Sequence, residues 1–300
     1  MATWSLVATV KAPEAKLLAF IAYHLSLGAD HIRIYFDDPD DPAHAAVTGL
    51  PRVIATRCTA GHWAAMGNRH DRHQNRQSRN ARDAYQHCTT DWLGHIDVDE
   101  FIRPDRAVAD ILDTAAPADL LVRMEPFEAM HDPSLPDDIC TARLFRGAIQ
   151  HDYWQLRHPC LGRYRSLIRD GMLSHTVGKV FFRAGIRGLA PRLHSGMLGK
   201  TRVAVPDFHP AMRLLHFHAQ DRQAWLDAVP FRITRGAYQY RPPLQSFLTA
   251  ATPDEIAAFY HRTQTVSPAV AATLVEVGRA VTADLGLGAK IAALTHGTPR

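Results

Sequence analysis

Two aspartates, Asp97 and Asp99, end an apolar segment of the chain and are separated by one residue. Residues i and i+2 of an extended chain point the same way, so this spacing predicts that both carboxylates face one point. Carboxylate oxygens are hard ligands that suit Mg²⁺ or Mn²⁺, which commonly also bind substrate phosphates. The pair therefore predicts a divalent metal site, with Mn²⁺ or Mg²⁺ as the ion. A solvated acidic turn after a strand is the alternative.

The first 100 residues alternate between strand and helix patterns. Apolar and β-branched runs predict strands at 5–10, 31–36, 53–56 and 91–97, and helical spacing predicts helices at 13–28 and 74–88. This alternation is typical of an α/β domain whose mostly parallel sheet is flanked by helices. Ligands bind such sheets at the carboxyl ends of the strands. Asp37 and Asp38 follow the second strand and Asp97 ends the fourth, so we expect both acidic groups at one edge of the sheet.

The pattern changes beyond residue 107. It predicts a short helix at 108–112 and strands at 120–124, 177–182 and 212–216. The segment 131–165 is irregular and rich in proline and aromatic residues, and helices are predicted at 221–234, 253–265 and 268–285. The sequence thus predicts an α/β domain at 1–220, with a helical C-terminal extension at 221–300 packed on it. A frayed tail is predicted from His296.

Composition and charge limit the class of protein. The 300 residues are 46% hydrophobic, which is enough for a sizeable core, and carry a formal net charge of +4. A pI near 9.0 suits anionic small molecules or membrane surfaces without demanding nucleic acid. The four cysteines form no C-x-x-C pair and are expected to be reduced. No signal peptide or transmembrane segment is predicted, so we expect a cytoplasmic location, with peripheral association at the inner membrane face as an alternative.

Two segments resemble bacterial glycosyltransferases of the family 2-like group. They are AYHLSLGADHI at 22–32 and HIDVDEFI at 95–102. SHTVGK at 174–179 and LLHFH at 214–218 also resemble segments of this group, so the resemblance extends over about residues 5–220. It implies a GT-A fold, a nucleotide-diphospho-sugar donor and a divalent metal at the D-x-D motif. Many relatives carry Lys-Asn-Glu after the first strand, whereas this chain has Lys11-Ala12-Pro13-Glu14, which leaves the nucleotide less defined.

The resemblance implies roles for the acidic residues. Asp99 would bind the metal directly, and Asp97 would reach the ribose, or the metal through water. Asp37 or Asp38 would accept hydrogen bonds from the base or ribose of the donor, with an ordinary Asp-Pro surface turn as the alternative. Strand geometry, rather than the resemblance, gives the expectation for Glu100: if the strand continues, it points to the opposite face, either in a structural ion pair or in the site.

Three polar residues at the start of the 74–88 helix, Arg76, Gln77 and Asn80, are candidates for contact with the donor. Helix N-termini and guanidinium groups both attract phosphate, so this segment resembles a diphosphate-binding element. A solvated basic helix face is the alternative. Lys179 is predicted to approach the diphosphate, with a snorkelling surface lysine as the alternative.

The late histidines and three further acids complete the candidates. His216 and His218 alternate along a predicted strand, and the resemblance implies that one of them completes the metal shell. An inverting transferase also needs a carboxylate to take the proton of the acceptor hydroxyl. Glu125, Glu128 and Asp132 follow the predicted 120–124 strand and are the candidates for this base.

These features together predict a metal-dependent glycosyltransferase. It would move a sugar from a nucleotide-diphospho-sugar to a glycan, lipid-linked or protein acceptor, as in surface polysaccharide biosynthesis. A UDP-sugar is the first candidate for the donor. One alternative is a metal-dependent phosphohydrolase or nuclease that uses the same acids. Another is a non-catalytic protein that binds sugar or nucleic acid through the basic segment 62–82. Nucleic acid is not expected as a partner, because only Trp63 and Tyr85 offer base stacking near that segment.

Overall fold

The structure is a computed structural model that describes residues 1–296. The strands are β1 (Trp4–Val10), β2 (Ile32–Phe36), β3 (Val53–Arg57), β4 (Trp92–His95), β5 (Glu100–Pro104), β6 (Leu121–Ala129), β7 (Leu144–Arg146), β8 (Lys179–Arg183), β9 (Leu189–Pro191), β10 (Gly196–Leu198), β11 (Thr201–Arg202), β12 (Phe208–His216) and β13 (Ala280–Thr282). The helices are α1 (Glu14–Ser26), α2 (Ala43–Val47), α3 (Ala60–Ala65), α4 (His73–Gln86), α5 (Val108–Asp113), α6 (Trp154–Leu161), α7 (Arg222–Thr234), α8 (Pro242–Ala250), α9 (Pro253–Gln264), α10 (Pro268–Glu276) and α11 (Leu287–His296). The rest of the predicted tail, 297–300, lies outside the described residues.

The chain forms two compact units. The first, unit 1, comprises residues 1–125, 178–214 and the segment from 286 onward, and the second, unit 2, comprises 126–177 and 215–285. These units differ from the contiguous ranges 1–220 and 221–300, because the chain leaves or re-enters unit 1 after residues 125, 177, 214 and 285. No helix within the described residues combines the length and the hydropathy needed to cross a bilayer.

The sheet of unit 1 is mostly parallel. Its strand order is β8-β4-β1-β2-β3, and β1, β2, β3 and β4 run in the same direction. β8 is antiparallel to β4 and to the first residues of β6. β1 is central and buried on both faces, which explains its nearly continuous apolar sequence. The predicted class, a GT-A-like α/β fold with a mostly parallel sheet, flanking helices and a helical C-terminal region, is confirmed.

Helix α1 is fixed by local chemistry at both ends. Pro13 precedes its first turn, and Gly28, with φ of 94°, provides the left-handed conformation that follows a helix end. Its buried face contacts β5 through Tyr23, whose hydroxyl donates to the carbonyl of Ile102 at 2.8 Å. Helix α11 returns to pack on α1.

The acidic segment after β4 is a turn rather than a continued strand. β4 ends at His95, and the amide of Glu100 donates to the carbonyl of Asp97 at 3.0 Å. The expectation that Asp97 and Asp99 are alternate residues of an extended strand is therefore wrong. β6 in turn continues to Ala129, four residues beyond Glu125, so Glu125 and Glu128 lie within that strand and do not follow it.

Unit 2 combines a short antiparallel sheet with helices α6 to α10. β7 pairs with β13 and with the last residues of β6, where Arg146 lies opposite both Ala280 and Glu128. The predicted helix at 268–285 is wrong in its second half, because α10 is followed by Gly278, with φ of 69°, and the chain then forms β13. The apolar core of unit 2 includes Leu161, Tyr164, Trp225, Tyr238, Leu244, Phe259 and Leu274.

Candidate functional site

A cavity of about 590 Å³ lies at the carboxyl ends of three parallel strands of unit 1. Lys11 follows β1, Asp37 and Asp38 follow β2, and Cys58 follows β3. The remaining lining residues, which come from the segment after Asp38 and from the connection between β3 and α4, are Pro39, Ala60, Trp63, Ala64, Asn68 and Arg69. Both the location and the volume are typical of a site for a small ligand.

Asp37 and Arg76 form a bidentate ion pair beside this cavity. Arg76 Nε and Nη2 donate to Asp37 Oδ1 and Oδ2, each at 2.6 Å. The side chains are only 14% and 9% exposed, respectively. Arg76 Nη1 also donates to the carbonyls of His70 and Asp71, both at 2.8 Å. The structure thus joins two predicted donor-binding residues and fixes the Asp37 carboxylate in the cavity wall.

Asp97 is bonded to two other predicted donor-binding residues. Gln77 Nε2 donates to Asp97 Oδ1 at 2.7 Å, and Lys179 Nζ donates to Oδ2 at 2.6 Å. The amide of Asp97 donates to Glu100 Oε2 at 2.7 Å. Lys179 Nζ also lies 3.3 Å from Glu100 Oε2. The turn after β4 therefore connects α4, through Gln77, with β8, through Lys179.

The charges of this network are buried unequally. Lys179 and Glu100 are inaccessible to solvent, whereas the Asp97 side chain is 28% exposed. Burial alone would lower the pKa of Lys179, but the carboxylates of Asp97 and Glu100 outweigh it and raise the pKa above its ordinary value. Burial, followed by the charge of Lys179, lowers the pKa of the adjacent His95 to about 4. Lys179 therefore stays protonated and His95 neutral near pH 7, and the snorkelling interpretation of Lys179 is wrong.

Asn80, the third candidate on α4, lies fully buried in unit 1. Its Nδ2 donates to Thr9 Oγ1 at 2.9 Å, and its Oδ1 lies 3.0 Å from His62 Nε2. It also contacts the thiol of Cys58, whose pKa burial raises to about 12. Asn80 therefore holds α4 against β1 and the cavity wall, and its contact with a donor stays a prediction.

The three candidate bases occupy different environments. Glu125 is half-buried on β6 in unit 1, whereas Glu128 and Asp132 belong to unit 2. Glu128 is 1% exposed, and its carboxylate accepts hydrogen bonds from the amides of Leu173 and Ser174. Asp132 is exposed, and hydrogen bonds from Ser134 lower its pKa. Which of the three is the base stays a prediction.

Three histidines lie close together in unit 2. The ring centroids of His175 and His216 are 5.6 Å apart, and those of His216 and His218 are 5.2 Å apart. His218 Nε2 lies 2.9 Å from the hydroxyl of Tyr238. Burial, together with nearby cations of which Arg232 is the strongest, lowers the pKa of His218 well below its ordinary value. Its imidazole is therefore neutral, which is the form that binds metals, and metal binding by His216 or His218 stays a prediction.

Sequence reasoning missed several cavity residues. Trp63 and Arg69 were not singled out as site residues, and Lys11 was noted only as part of a departure from the family pattern. Trp63 and Arg69 lie between β3 and α4, and Lys11 lies between β1 and α1. Connections from a parallel strand to the next helix line the ligand-binding edge of such sheets, and this rule is the signal that would have found them.

No protein-family model and no curated protein matches the chain. Similar solved structures include a mycobacterial protein, with a TM-score of 0.33 and 11% identity over 61% of this chain and 53% of that one. They also include HddC from Yersinia pseudotuberculosis, with a TM-score of 0.30 and 8% identity over 72% and 77%. Residues 1–349 of TarS from S. aureus are also similar, with a TM-score of 0.33 and 8% identity over 99% of this chain and 92% of that one. The chain spans about half the length of the mycobacterial protein, and similarities at this level assign neither a family nor an activity.

Proposed function

We propose that the protein is a metal-dependent glycosyltransferase whose donor is a nucleotide-diphospho-sugar, with UDP-sugars as the first candidates. The observation that carries the proposal is the cavity at the carboxyl ends of β1, β2 and β3, with the Asp37–Arg76 pair in its wall. β4 lies beside β1 and runs parallel to it, so Asp97 follows at the same edge of the sheet. A nucleoside and a charged leaving group would both find partners along this edge.

The chemistry of the cavity suits a nucleoside. Trp63, Pro39 and Ala60 offer apolar surface to a ring, and the carboxylate of Asp37, which Arg76 holds in place, offers an acceptor to a polar edge. Asp38 lines the same cavity and is available to a ribose hydroxyl. A small-molecule site typically has this composition, in which a few fixed polar groups stand on an apolar wall.

The turn after β4 fits Mn²⁺ or Mg²⁺. Residues 97–100 include the carboxylates of Asp97, Asp99 and Glu100, and Lys179 is a single positive charge bonded to this group. A carboxylate oxygen can accept from more than one partner, so the bonds from Gln77 and Lys179 do not exclude coordination by Asp97. Asp97 and Asp99 would hold the ion, which would stabilise negative charge on the departing nucleoside diphosphate.

The residues of the chain contribute positioning and proton transfer. Lys179 and Gln77 hold the carboxylate of Asp97 in one orientation. Among the candidate bases we favour Glu125, since Glu128 is bonded to two amides and Asp132 has a lowered pKa that makes it a weaker base. The acceptor would be a glycan, a lipid-linked sugar or a protein, in surface polysaccharide biosynthesis at the cytoplasmic side of the membrane.

Thermal unfolding in the presence of nucleotides tests the donor site. UDP, GDP and their sugar conjugates are added with Mn²⁺ or with EDTA, and at least one diphosphate is expected to raise the melting temperature more with Mn²⁺. A ligand at one hundred times its Kd stabilises the folded state by about 2.7 kcal/mol. The donor site is wrong if no nucleoside diphosphate at millimolar concentration raises the melting temperature with either metal.

Two variants separate the nucleoside from the metal. Asp37→Asn is expected to weaken binding with and without Mn²⁺, whereas Asp99→Ala is expected to remove only the increment due to Mn²⁺ and to abolish sugar transfer. Asp110→Ala, at an exposed position of α5, is the matched control and leaves both unchanged. Undiminished transfer in EDTA, or by a folded Asp99→Ala protein, contradicts metal dependence.

A further inference from the structure

The loop between α3 and α4 places a cation in the cavity wall. This loop, residues 66–72, contains Arg69, which lines the cavity and is 51% exposed. Lys11, at the end of β1, is also exposed and lines the same cavity. Two cations from different elements therefore line a space whose walls also contain the acids Asp37 and Asp38.

Two arginines of α4 hold the loop on either side of Arg69. Arg79 Nη1 donates to the carbonyls of Met66 and Asn68, at 2.9 and 2.5 Å. Arg76 Nη1 donates to the two carbonyls that follow Arg69, at 2.8 Å each. These charge-assisted bonds anchor the backbone before and after Arg69, so its side chain projects from a fixed stretch of backbone.

The internal partner of Arg69 is weakly bound. Its Nη2 lies 3.6 Å from Asp37 Oδ1, whereas Arg76 binds the same carboxylate with two bonds of 2.6 Å. An ion pair at this distance, with its arginine half-exposed, stabilises little in water, and Asp37 keeps both bonds from Arg76 when Arg69 turns away. The guanidinium of Arg69 can therefore turn to a stronger anion without leaving a buried charge behind.

We propose that Arg69 and Lys11 form a subsite for the phosphate groups of the nucleotide that enters this cavity. The inference rests on the proposed function, since it takes the cavity to hold a nucleoside. A guanidinium binds phosphate oxygens in a bidentate manner, and an ammonium adds a second, less directional charge. Part of the affinity for the diphosphate is then supplied by the protein itself and persists when the metal is removed.

Isothermal titration in EDTA tests this subsite with uridine, UMP and UDP, and with guanosine, GMP and GDP. Affinity is expected to rise from nucleoside to diphosphate in the preferred series. Arg69→Met is expected to lower the affinity for the diphosphate about tenfold, which corresponds to the loss of one charge-assisted bond. The affinity for the nucleoside is expected to stay unchanged. Lys11→Met is expected to act in the same direction with a smaller effect. Arg72→Met, an exposed cation of the same loop that does not line the cavity, is the matched control.

The outcomes separate this inference from the proposed function. If the wild-type protein binds no nucleoside, monophosphate or diphosphate, with or without Mn²⁺, both fail. If it binds diphosphate but Arg69→Met weakens nucleoside and diphosphate equally, or Arg69→Met and Arg72→Met act alike, the subsite is wrong and the donor site stands. Added salt provides a second readout, because a phosphate bound by exposed cations loses affinity with ionic strength whereas the nucleoside does not.

Discussion

At the scale of single residues, the buried ammonium of Lys179 determines the state of the acidic turn. It is bonded to Asp97 and lies beside Glu100, and all but Asp97 are shielded from water. Such a cluster is costly to disrupt, because a charge taken out of water needs its partner nearby. The role predicted for Lys179, approach to the diphosphate, would therefore be exerted through the carboxylate of Asp97.

Replacing Lys179 with methionine should destabilise the fold. The variant removes the ammonium that balances the buried carboxylate of Glu100, and breaking a buried pair in this way costs about 3–5 kcal/mol. Urea unfolding measures the loss. Lys200→Met, at an exposed position, should change the free energy of unfolding by less than about 0.5 kcal/mol. Adding Glu100→Gln to Lys179→Met should restore part of the lost stability. If Lys179→Met is as stable as Lys200→Met, the interpretation is refuted.

The structure brings several candidate site residues into contact in ways that the sequence did not predict. Asp37, Arg76, Gln77, Asp97 and Lys179 were all selected from pattern and resemblance. The ion pair of Asp37 with Arg76, and the bonds of Gln77 and Lys179 to Asp97, were not predicted. These bonds join positions 20 to 82 residues apart, and a single sequence without related sequences carries no record of such pairings.

At the scale of elements, Lys179 owes its position to the glycine before it. Gly178 has φ of 75°, and a Cβ at this position would lie 2.1 Å from the carbonyl oxygen of Met124 on β6. No side chain other than hydrogen allows β8 to begin so close to β6. Gly185, which follows β8, has the same φ of 75° but no atom within 4 Å of its own Cβ position.

The two glycines form a matched pair for mutation. Gly185→Ala should lose about 1–2 kcal/mol, since alanine disfavours positive φ. Gly178→Ala should lose at least about 2 kcal/mol more, because the added methyl group also displaces backbone. Chemical denaturation of both variants gives the comparison. Equal losses would mean that β6 and β8 separate without cost and that the close approach does not hold Lys179 in place.

Helix α1 and strand β5 are connected by a neutral histidine. His24 Nδ1 donates to the carbonyl of Phe20 at 2.8 Å, and its Nε2 accepts from the amide of Ile102 at 3.2 Å. Protonation of Nε2 would break the second bond. Burial, opposed only in part by the bond to Phe20, lowers the pKa of His24 to about 3 in the folded state.

Acid should therefore weaken the fold through His24. The folded-state pKa lies below the ordinary value of 6.5, so this contribution to stability is complete above pH 6.5 and declines as the pH falls toward 3. The slope is up to about 1.4 kcal/mol per pH unit. Urea unfolding between pH 7 and 4 should show a shallower decline for His24→Gln than for the wild-type protein. Parallel declines would indicate that His24 is not the group that titrates.

The regular elements near the N-terminus were predicted closely, and the turns were not. Strands β1, β2 and β3 and helices α1 and α4 match their predicted bounds within about three residues, because apolar periodicity and the flanking proline and glycine specify them. The turn at 97–100 escaped prediction, since an acidic segment has no period and its hydrogen bonds appear only in the folded chain. Strands β9, β10 and β11 are two or three residues long, too short to give a pattern.

At the scale of the whole molecule, each of the two units is built from segments that are separated in the sequence. Unit 1 takes its first 125 residues, a central segment and the C-terminal helix α11, whereas unit 2 takes the segments between them. A sequence pattern detects local periodicity, and it therefore suggested one boundary near residue 220. The residues that line the cavity, of which Lys11 is the first in the chain and Arg69 the last, all belong to unit 1.

This confinement predicts where a nucleotide protects the backbone. We expect a nucleoside diphosphate, added without metal, to slow amide hydrogen exchange at 9–12, 36–40 and 57–72, the segments that contain the lining residues of the cavity. Labelling for seconds reports local opening, whereas long labelling also reports the global stabilisation that any ligand gives. At short times the helices α7 to α10 of unit 2 should exchange at the rate of the free protein. Mass spectrometry of peptic fragments measures the exchange of the cavity segments and of these helices. Protection concentrated in unit 2 would place the nucleotide outside the cavity and overturn the donor-site assignment, because the residues that line the cavity would exchange as fast as in the free protein.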